Sequence, residues 1–130
     1  MIKLYGLRMS NYYSLTKALL IEKGLDFLEV KRSPSQEEGF LTLSPMGKMP
    51  AIEVNGVYLS ESIAIANYLE RLQPQPALLP GDAMQAAKVM ELVCHLKLDV
   101  ELVARRLLPE VLLKQPVSEE TKTAVKADLT

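Results

Sequence analysis

The chain has little of what several common classes of protein need. It has a single cysteine among 130 residues, so it can form no internal disulfide, carries no Cys-x-x-Cys pair and offers no cysteine-rich zinc site. Fifteen Lys and Arg against sixteen Asp and Glu give a net charge of −1, whereas surfaces that bind nucleic acid carry a basic excess. We therefore expect no nucleic-acid partner.

Long apolar runs and glycine-rich phosphate loops are also missing. No apolar stretch approaches the roughly 20 residues that a membrane-spanning helix requires, and residues 1–5 enter a strand pattern directly, unlike a signal peptide. A content of 48% hydrophobic and 24% charged residues is that of an ordinary globular protein. These features predict a reduced, cytoplasmic protein with no membrane partner.

The residues that most often bind metals are too sparse here for a site. His95 and Asp99 stand four apart in a helical pattern, but no third ligand is evident, so we expect no metal. Cys94 shares a helical spacing with Met90 and Leu98. We expect it to be a buried structural residue without redox chemistry.

Residues 44–72 form the most informative segment. A Pro/Gly loop leads Met49-Pro50 into a strand, and a proline, which lacks an N–H, fits there only at an edge or a strand start. A cis bond here would turn the Met49 backbone outward toward a ligand, and we expect the bond to be cis. Asn55-Gly56 between two apolar runs predicts a β-hairpin. Glu61-Ser62 then begin a periodic helix, and helix starts bind anions through free N–H groups.

The remaining pattern of the first half predicts a β-α-β-α-β-β-α order, in which a helix begins after Ser10 and stops near Gly24. We expect the first two strands to be parallel, joined by that helix, and the hairpin strands to be antiparallel. The predicted strands are residues 2–5, 27–30, 51–54 and 57–59, and the other predicted helices are 36–43 and 63–72.

The second half of the chain has a different residue pattern. Prolines and a glycine crowd residues 74–82, which predicts a linker. Apolar residues recur at helical spacing over 83–113, and Ser118 opens another helix. We therefore expect one domain over residues 1–73, a linker over 74–82 and a helical region over 83–130.

In order and spacing these motifs resemble the N-terminal domain of serine-type, bacterial-like glutathione S-transferases. The matching segments are Gly47-Lys48-Met49-Pro50, Asn55-Gly56, and Glu61-Ser62 with Ala64-Ile65, and Phe40-Leu41 before Ser44-Pro45 fits the same pattern. The resemblance implies an α/β thioredoxin-like domain with a mixed four-stranded sheet. An all-α domain would follow it, and residues 83–130 would supply only part of that domain, as in a truncated chain.

The resemblance also implies an activity. The chain would be a glutathione transferase that activates the thiol of glutathione, its co-substrate, for attack on an electrophilic small molecule, and isomerase or peroxidase reactions are related possibilities. It would need no metal and would form a homodimer. Because the helical domain would be incomplete, a dimer with exchanged helices is the alternative form. The alternative is a non-catalytic protein-binding module of the same fold, as in subunits associated with RNA polymerase or translation factors.

Within this resemblance, Ser10 is the candidate for the hydroxyl that activates the thiol. It stands in the loop between the first strand and the first helix, where the positive end of the helix also favours a thiolate. An N-cap serine without catalytic function would give the same sequence. The alternative hydroxyls are those of Tyr5, Tyr12, Tyr13 and Ser14.

The resemblance assigns the glutathione contacts to the segment described above. Glu61 and Ser62 would hold the amine and the carboxylate of the γ-glutamyl unit, and a helix cap is the alternative explanation for this pair. Met49, followed by Pro50, would pair through its backbone with the cysteinyl unit, and Lys48 would bind the glycyl carboxylate. The basic residue that many family members have near Gln36 is missing.

Overall fold

The computed structural model describes residues 1–130 and shows two compact units, Met1–Leu78 and Leu79–Thr130. The first unit has seven elements. In chain order they are β1 (Ile2–Gly6), α1 (Asn11–Glu22), β2 (Phe27–Lys31), α2 (Glu38–Leu41), β3 (Ala51–Val54), β4 (Val57–Ser60) and α3 (Ser62–Leu72). This is the predicted order, although α2 is shorter than the pattern over 36–43 suggests.

The four strands form one mixed sheet in the order β2-β1-β3-β4. β1 and β2 are parallel, with Ile2 beside Phe27. β3 runs antiparallel to both β1 and β4. The parallel pair, the antiparallel hairpin and the flanking helices confirm the predicted thioredoxin-like fold.

The core of this unit lies between the sheet and the helices α1 and α3. Alternate residues of β1 are buried, because successive side chains of a strand point to opposite faces of the sheet. The cluster on this face consists of Ile2, Leu4, Tyr13, Leu20, Ile52, Ile65 and Leu69. A second, smaller cluster consists of Phe40, Leu43 and Ala51.

A buried lysine secures the chain that follows α3. The Lys23 side chain is fully buried, and its ammonium group pairs with Glu70 and donates to the Pro76 carbonyl at 2.6 Å. The Glu70 carboxylate also accepts the Leu78 N–H at 3.0 Å. Residues 74–78 of the expected linker are therefore fixed on the first unit, and the peptide bond before Pro76 is cis. The predicted domain limits stay a prediction.

The second unit is helical, as predicted. Its α-helices are α4 (Ala83–Cys94), α5 (Leu102–Ala104), α6 (Leu108–Leu113) and α7 (Glu119–Asp128). A π-helical stretch, His95–Glu101, follows α4, and a 3₁₀ turn, Arg105–Leu107, precedes α6. That turn lies just before Pro109, which cannot donate an N–H to an α-helix. No helix combines the length and the apolar character that crossing a bilayer requires.

The prediction that Cys94 is buried is wrong, because its thiol side chain is exposed. The helical spacing identifies a shared face, but that face is uncovered at Cys94 and Leu98. Leu98, on the same face, is 52% exposed.

Candidate active site

The strand register gathers three parts of the chain at one end of the sheet. Tyr5 near the end of β1 pairs with Ala51 at the start of β3, and Ala51 pairs with Ser60 at the end of β4. The segments that continue from these strand ends carry Ser10, Met49-Pro50 and Glu61-Ser62. Residues far apart in sequence therefore lie at the same end of the sheet.

Ser10 is the N-cap of α1. Its backbone is extended, and its Oγ accepts the Tyr13 N–H at 3.3 Å. This bond uses a lone pair of the oxygen and leaves the hydroxyl hydrogen available to donate. The side chain is half-buried. Ser10 can therefore cap α1 and still donate its hydroxyl hydrogen to a ligand.

Two of the alternative hydroxyls are directed at carboxylates. The Tyr5 hydroxyl donates to Glu53 at 2.5 Å, and the Tyr13 hydroxyl donates to Glu29 at 2.6 Å. The pKa of each tyrosine is raised to about 12, mainly by burial and next by the hydrogen bond to the carboxylate. A hydroxyl in this state is a poor donor to a second acceptor such as a thiolate. The bonds therefore argue against Tyr5 and Tyr13.

The other two alternatives lie in the first turn of α1. Ser14 is exposed, and its hydroxyl donates to the Arg8 carbonyl at 3.4 Å. Tyr12 is half-buried in the first turn of α1. Ser10 is the only one of these residues whose side-chain oxygen caps the helix.

The turn before β3 has the predicted conformation, since the Met49-Pro50 peptide bond is cis. Gly47 has a φ of +64°, and a Cβ there would lie 2.5 Å from the Ser35 carbonyl oxygen and 2.3 Å from Gln36 Nε2. Only glycine fits such a position without a shift of the backbone. Lys48, the candidate partner of the glycyl carboxylate, is exposed.

The start of α3 differs from the starts of α1, α4 and α7. Those three helices have N-cap side chains that accept a backbone N–H, whereas Glu61 at the N-cap of α3 makes no such bond. Ser62 is 3% exposed. Glu61 has φ 71° and ψ 116°, a conformation that costs a non-glycine residue about 1–3 kcal/mol and is concentrated at functional sites.

Some features of this end of the sheet were not predicted from the sequence. Nothing about a glutamate indicates a positive φ at Glu61. The partners Glu29 and Glu53 were also missed, although an isolated acidic residue inside an apolar strand was a usable signal for a buried partner. Gln36 lies where many family members have a basic residue, and its amide donates to the Met46 carbonyl at 3.4 Å.

The two residues considered as metal ligands are hydrogen-bonded to each other. His95 Nδ1 lies 2.8 Å from Asp99 Oδ2, and both side chains are exposed. No group of three or more His, Cys, Asp or Glu side chains is arranged to hold a metal ion.

Comparison with known proteins shows the family of the chain. The family description "Glutathione S-transferase, N-terminal domain" matches residues 1–71. The chain belongs to the glutathione S-transferase family. A protein of Pseudomonas putida named glutathione S-transferase is 41% identical over 129 residues, which cover 99% of this chain and 59% of that protein. The chain therefore spans less than two thirds of the length of this glutathione S-transferase.

Other family members agree in sequence or in fold. The maleylacetoacetate isomerase of Rattus norvegicus is 34% identical over 92 residues, which cover 66% of this chain and 43% of the isomerase. The crystal structure of a glutathione S-transferase from Rhodospirillum rubrum superposes with a TM-score of 0.82 at 29% identity. That superposition covers 99% of this chain and 62% of the solved one.

Proposed function

We propose that this chain binds glutathione and promotes attack of its sulfur on an electrophilic small molecule. The observation that carries the proposal is the shared location of Ser10, the cis-proline turn and the start of α3 at one end of the sheet. Membership of the family supplies the identity of the thiol compound.

The charges at this end of the sheet complement those of glutathione. The Ser62 hydroxyl and the first N–H groups of α3 would bind the γ-glutamyl carboxylate, since helix starts favour anions. The Glu61 carboxylate would bind the amine. The Met49 backbone would pair with the cysteinyl unit, and the exposed Lys48 would approach the glycyl carboxylate. Each charged group of the ligand then has a partner of opposite charge or a hydrogen-bond donor.

Activation of the sulfur would depend on Ser10. A free thiol has a pKa of about 8.5 and is largely protonated at neutral pH, whereas the thiolate is the nucleophile. A hydroxyl that donates to the sulfur stabilises the thiolate, and the N-terminus of α1 adds a favourable dipole. The thiol proton passes to solvent, and the sulfur lone pair forms a C–S bond as the leaving group departs with its bonding electrons.

A second candidate reaction is supported by the similarity to the rat maleylacetoacetate isomerase. The same thiolate could add to a conjugated C=C bond, allow rotation about the resulting single bond, and leave with its electron pair. Glutathione would then be regenerated in each cycle. Consumption of glutathione distinguishes the two reactions, because the transfer consumes one equivalent and the isomerisation consumes none.

Calorimetric titration with glutathione tests the proposal at its first step. We expect saturable heat release and a rise in Tm with the ligand, since binding to the folded state stabilises it. Conjugation of an activated chloronitrobenzene then tests the transfer. If millimolar glutathione produces neither heat nor a thermal shift, the chain is the non-catalytic protein-binding module instead.

A further inference from the structure

A single buried tyrosine connects Ser10 to a carboxylate on the edge strand β2. Tyr13 stands in the first turn of α1, where its backbone N–H donates to Ser10 Oγ at 3.3 Å. Its hydroxyl donates to Glu29 Oε2 at 2.6 Å, and the residue is only 2% exposed. Tyr13 thus joins the candidate catalytic hydroxyl to the sheet through its backbone N–H on one side and its side-chain hydroxyl on the other.

The ring of Tyr13 packs closely against Gly6 at the end of β1. A Cβ at Gly6 would lie 2.6 Å from Tyr13 Cδ2 and 3.4 Å from the Cβ of Met49. The first of these distances is shorter than real side-chain contacts, so the close approach of the ring requires glycine. Tyr13 therefore lies between α1, the end of β1 and the turn that carries Met49.

Glu29 receives three hydrogen bonds from groups that flank Ser10 in sequence. Besides the Tyr13 hydroxyl, its carboxylate accepts Lys17 Nζ at 2.7 Å and Arg8 Nη2 at 3.2 Å. The bonds from Lys17 and Tyr13 lower the pKa of Glu29 to about 2, so the carboxylate stays ionised at neutral pH. One strand residue thereby holds the loop before Ser10 and the helix after it.

Packing alone does not hold the hydroxyl end of Tyr13. A cavity of about 450 Å³ borders Gly6, Leu7, Arg8, Tyr13, Glu29 and Lys31. This space adjoins the Tyr13–Glu29 pair, so the pair is packed less closely on that side. The hydrogen bond to Glu29 therefore fixes the hydroxyl end of the ring, and the close contact with Gly6 fixes the rest of it.

We propose that Tyr13 and Glu29 are positioning residues for Ser10. Glu29 fixes the first turn of α1, and the Tyr13 N–H then orients the Ser10 hydroxyl so that its hydrogen points to the glutathione sulfur. Acceptance of this N–H also makes the hydroxyl a better donor, because hydrogen bonds in a chain polarise one another. The inference depends on the proposed function, since it assigns Ser10 the work of stabilising the thiolate.

The chain contains a matched control for the test. On β1 and β3, the Tyr5 hydroxyl donates to Glu53 at 2.5 Å and Lys3 Nζ donates to the same carboxylate at 2.9 Å. This group has the same chemistry as Tyr13, Glu29 and Lys17, but its tyrosine makes no bond to Ser10. Tyr5→Phe thus removes an equivalent hydroxyl that makes no bond to Ser10 or to Tyr13.

The measurement is the thiol pKa of bound glutathione, from thiolate absorbance in the ultraviolet, in the whole chain and its variants. Tyr13→Phe keeps the ring and the backbone N–H, and we expect it to raise the thiol pKa by about 0.5 unit, roughly a threefold loss of thiolate below that pKa. The value of kcat should fall by about the same factor while the KM for glutathione stays within about twofold. Tyr5→Phe should leave all three quantities unchanged.

Two further variants keep the test decisive. Glu29→Gln retains an acceptor oxygen without the charge, so it should shift the thiol pKa in the same direction by a smaller amount. Ser10→Ala separates the positioning inference from the proposed function. If Ser10→Ala raises the thiol pKa but neither Tyr13→Phe nor Glu29→Gln does, the positioning inference is wrong and the proposed function stands.

Three other results would overturn the inference. Equal shifts in Tyr13→Phe and Tyr5→Phe would overturn the inference, because a general loss of stability would then explain both. A lower Tm in Tyr13→Phe with an unchanged thiol pKa would show a structural role only. No shift in Ser10→Ala would overturn the proposed function, and the inference with it.

Discussion

At the scale of single residues, Ser62 offers the clearest binding test. Its side chain is buried at the first position of α3, where the proposed ligand carboxylate would lie. Ser62→Ala removes a hydrogen bond to a charged group, which is worth roughly 1.5–3 kcal/mol, so the affinity for glutathione should fall roughly ten- to a hundredfold. Calorimetry provides the measurement.

The control for Ser62→Ala is Ser118→Ala. Ser118 also places a hydroxyl at a helix start, but it caps α7 in the second unit. That variant should lose stability without losing affinity. Unchanged glutathione binding in Ser62→Ala would show that the γ-glutamyl assignment is wrong.

Residue types at the candidate site could be predicted where a local motif encodes them. Ser10 follows from its loop, Met49-Pro50 from the turn, and Ser62 from the helix start. The links from Tyr13 to Glu29 and from Tyr5 to Glu53 could not be predicted, because they span 16 and 48 positions and depend on the strand register. The positive φ of Glu61 is imposed by the fold around it, since its residue type does not favour that conformation.

At the scale of elements, the turn before β3 makes a prediction about stability. An alanine at Gly47 would meet both a positive φ and the Ser35 carbonyl oxygen at 2.5 Å. Gly56, in the hairpin, has φ +80° but nothing within 4 Å of an added Cβ. Gly56→Ala should therefore cost about 1 kcal/mol from the backbone alone, and Gly47→Ala about 2–4 kcal/mol.

Denaturant unfolding of the two variants under identical conditions measures this difference. Equal losses would contradict the steric role of the turn. Gly47→Ala is also expected to lower the affinity for glutathione, because the same turn positions Met49.

The junction of α1 with β2 makes a prediction about pH. The pKa of Glu29 is lowered to about 2 by Lys17 and Tyr13, so between its unfolded and folded pKa values the unfolded chain binds more protons than the folded one. The stability that Glu29 contributes is then present above about pH 4.5 and declines as the pH falls toward 2. The stability difference between the parent chain and Glu29→Gln should shrink over this range.

Urea unfolding at a series of pH values gives that difference directly. A difference that stays constant from neutral pH down to about pH 3 would show that the carboxylate is not stabilised in the folded state.

The elements themselves were largely predictable from periodicity and turn chemistry. Asn55-Gly56 marked the hairpin, Gly24 marked the end of α1, and alternation marked β1. The errors arose where burial was decided by other parts of the structure. Cys94 has core-like spacing, but helical spacing identifies only a shared face and does not show that another element covers it.

At the scale of the whole molecule, the second unit exposes many large apolar side chains. Leu92, Leu96, Leu98 and Leu102 are each more than half exposed, and extensive apolar exposure is characteristic of surfaces that associate. We expect a homodimer in solution. Sedimentation equilibrium at micromolar concentration should give twice the 14.5 kDa of one chain, and a purely monomeric mass would contradict this prediction.

Family membership by itself leaves the chemistry open, because one fold can carry transferases, isomerases and binding modules. The claim that this chain is catalytic therefore depends on whether it changes the sulfur of glutathione. Binding alone would not show this, since a module that merely holds glutathione would leave its thiol pKa near the free value of about 8.5.

The most direct test of the central claim is an ultraviolet titration of bound glutathione in the parent chain and in Ser10→Ala. The account predicts a thiol pKa clearly below about 8.5 in the parent chain. It predicts a return toward that value in Ser10→Ala, with an affinity for glutathione that is nearly unchanged. An equal thiol pKa in the two proteins would contradict the assignment of thiol activation to Ser10.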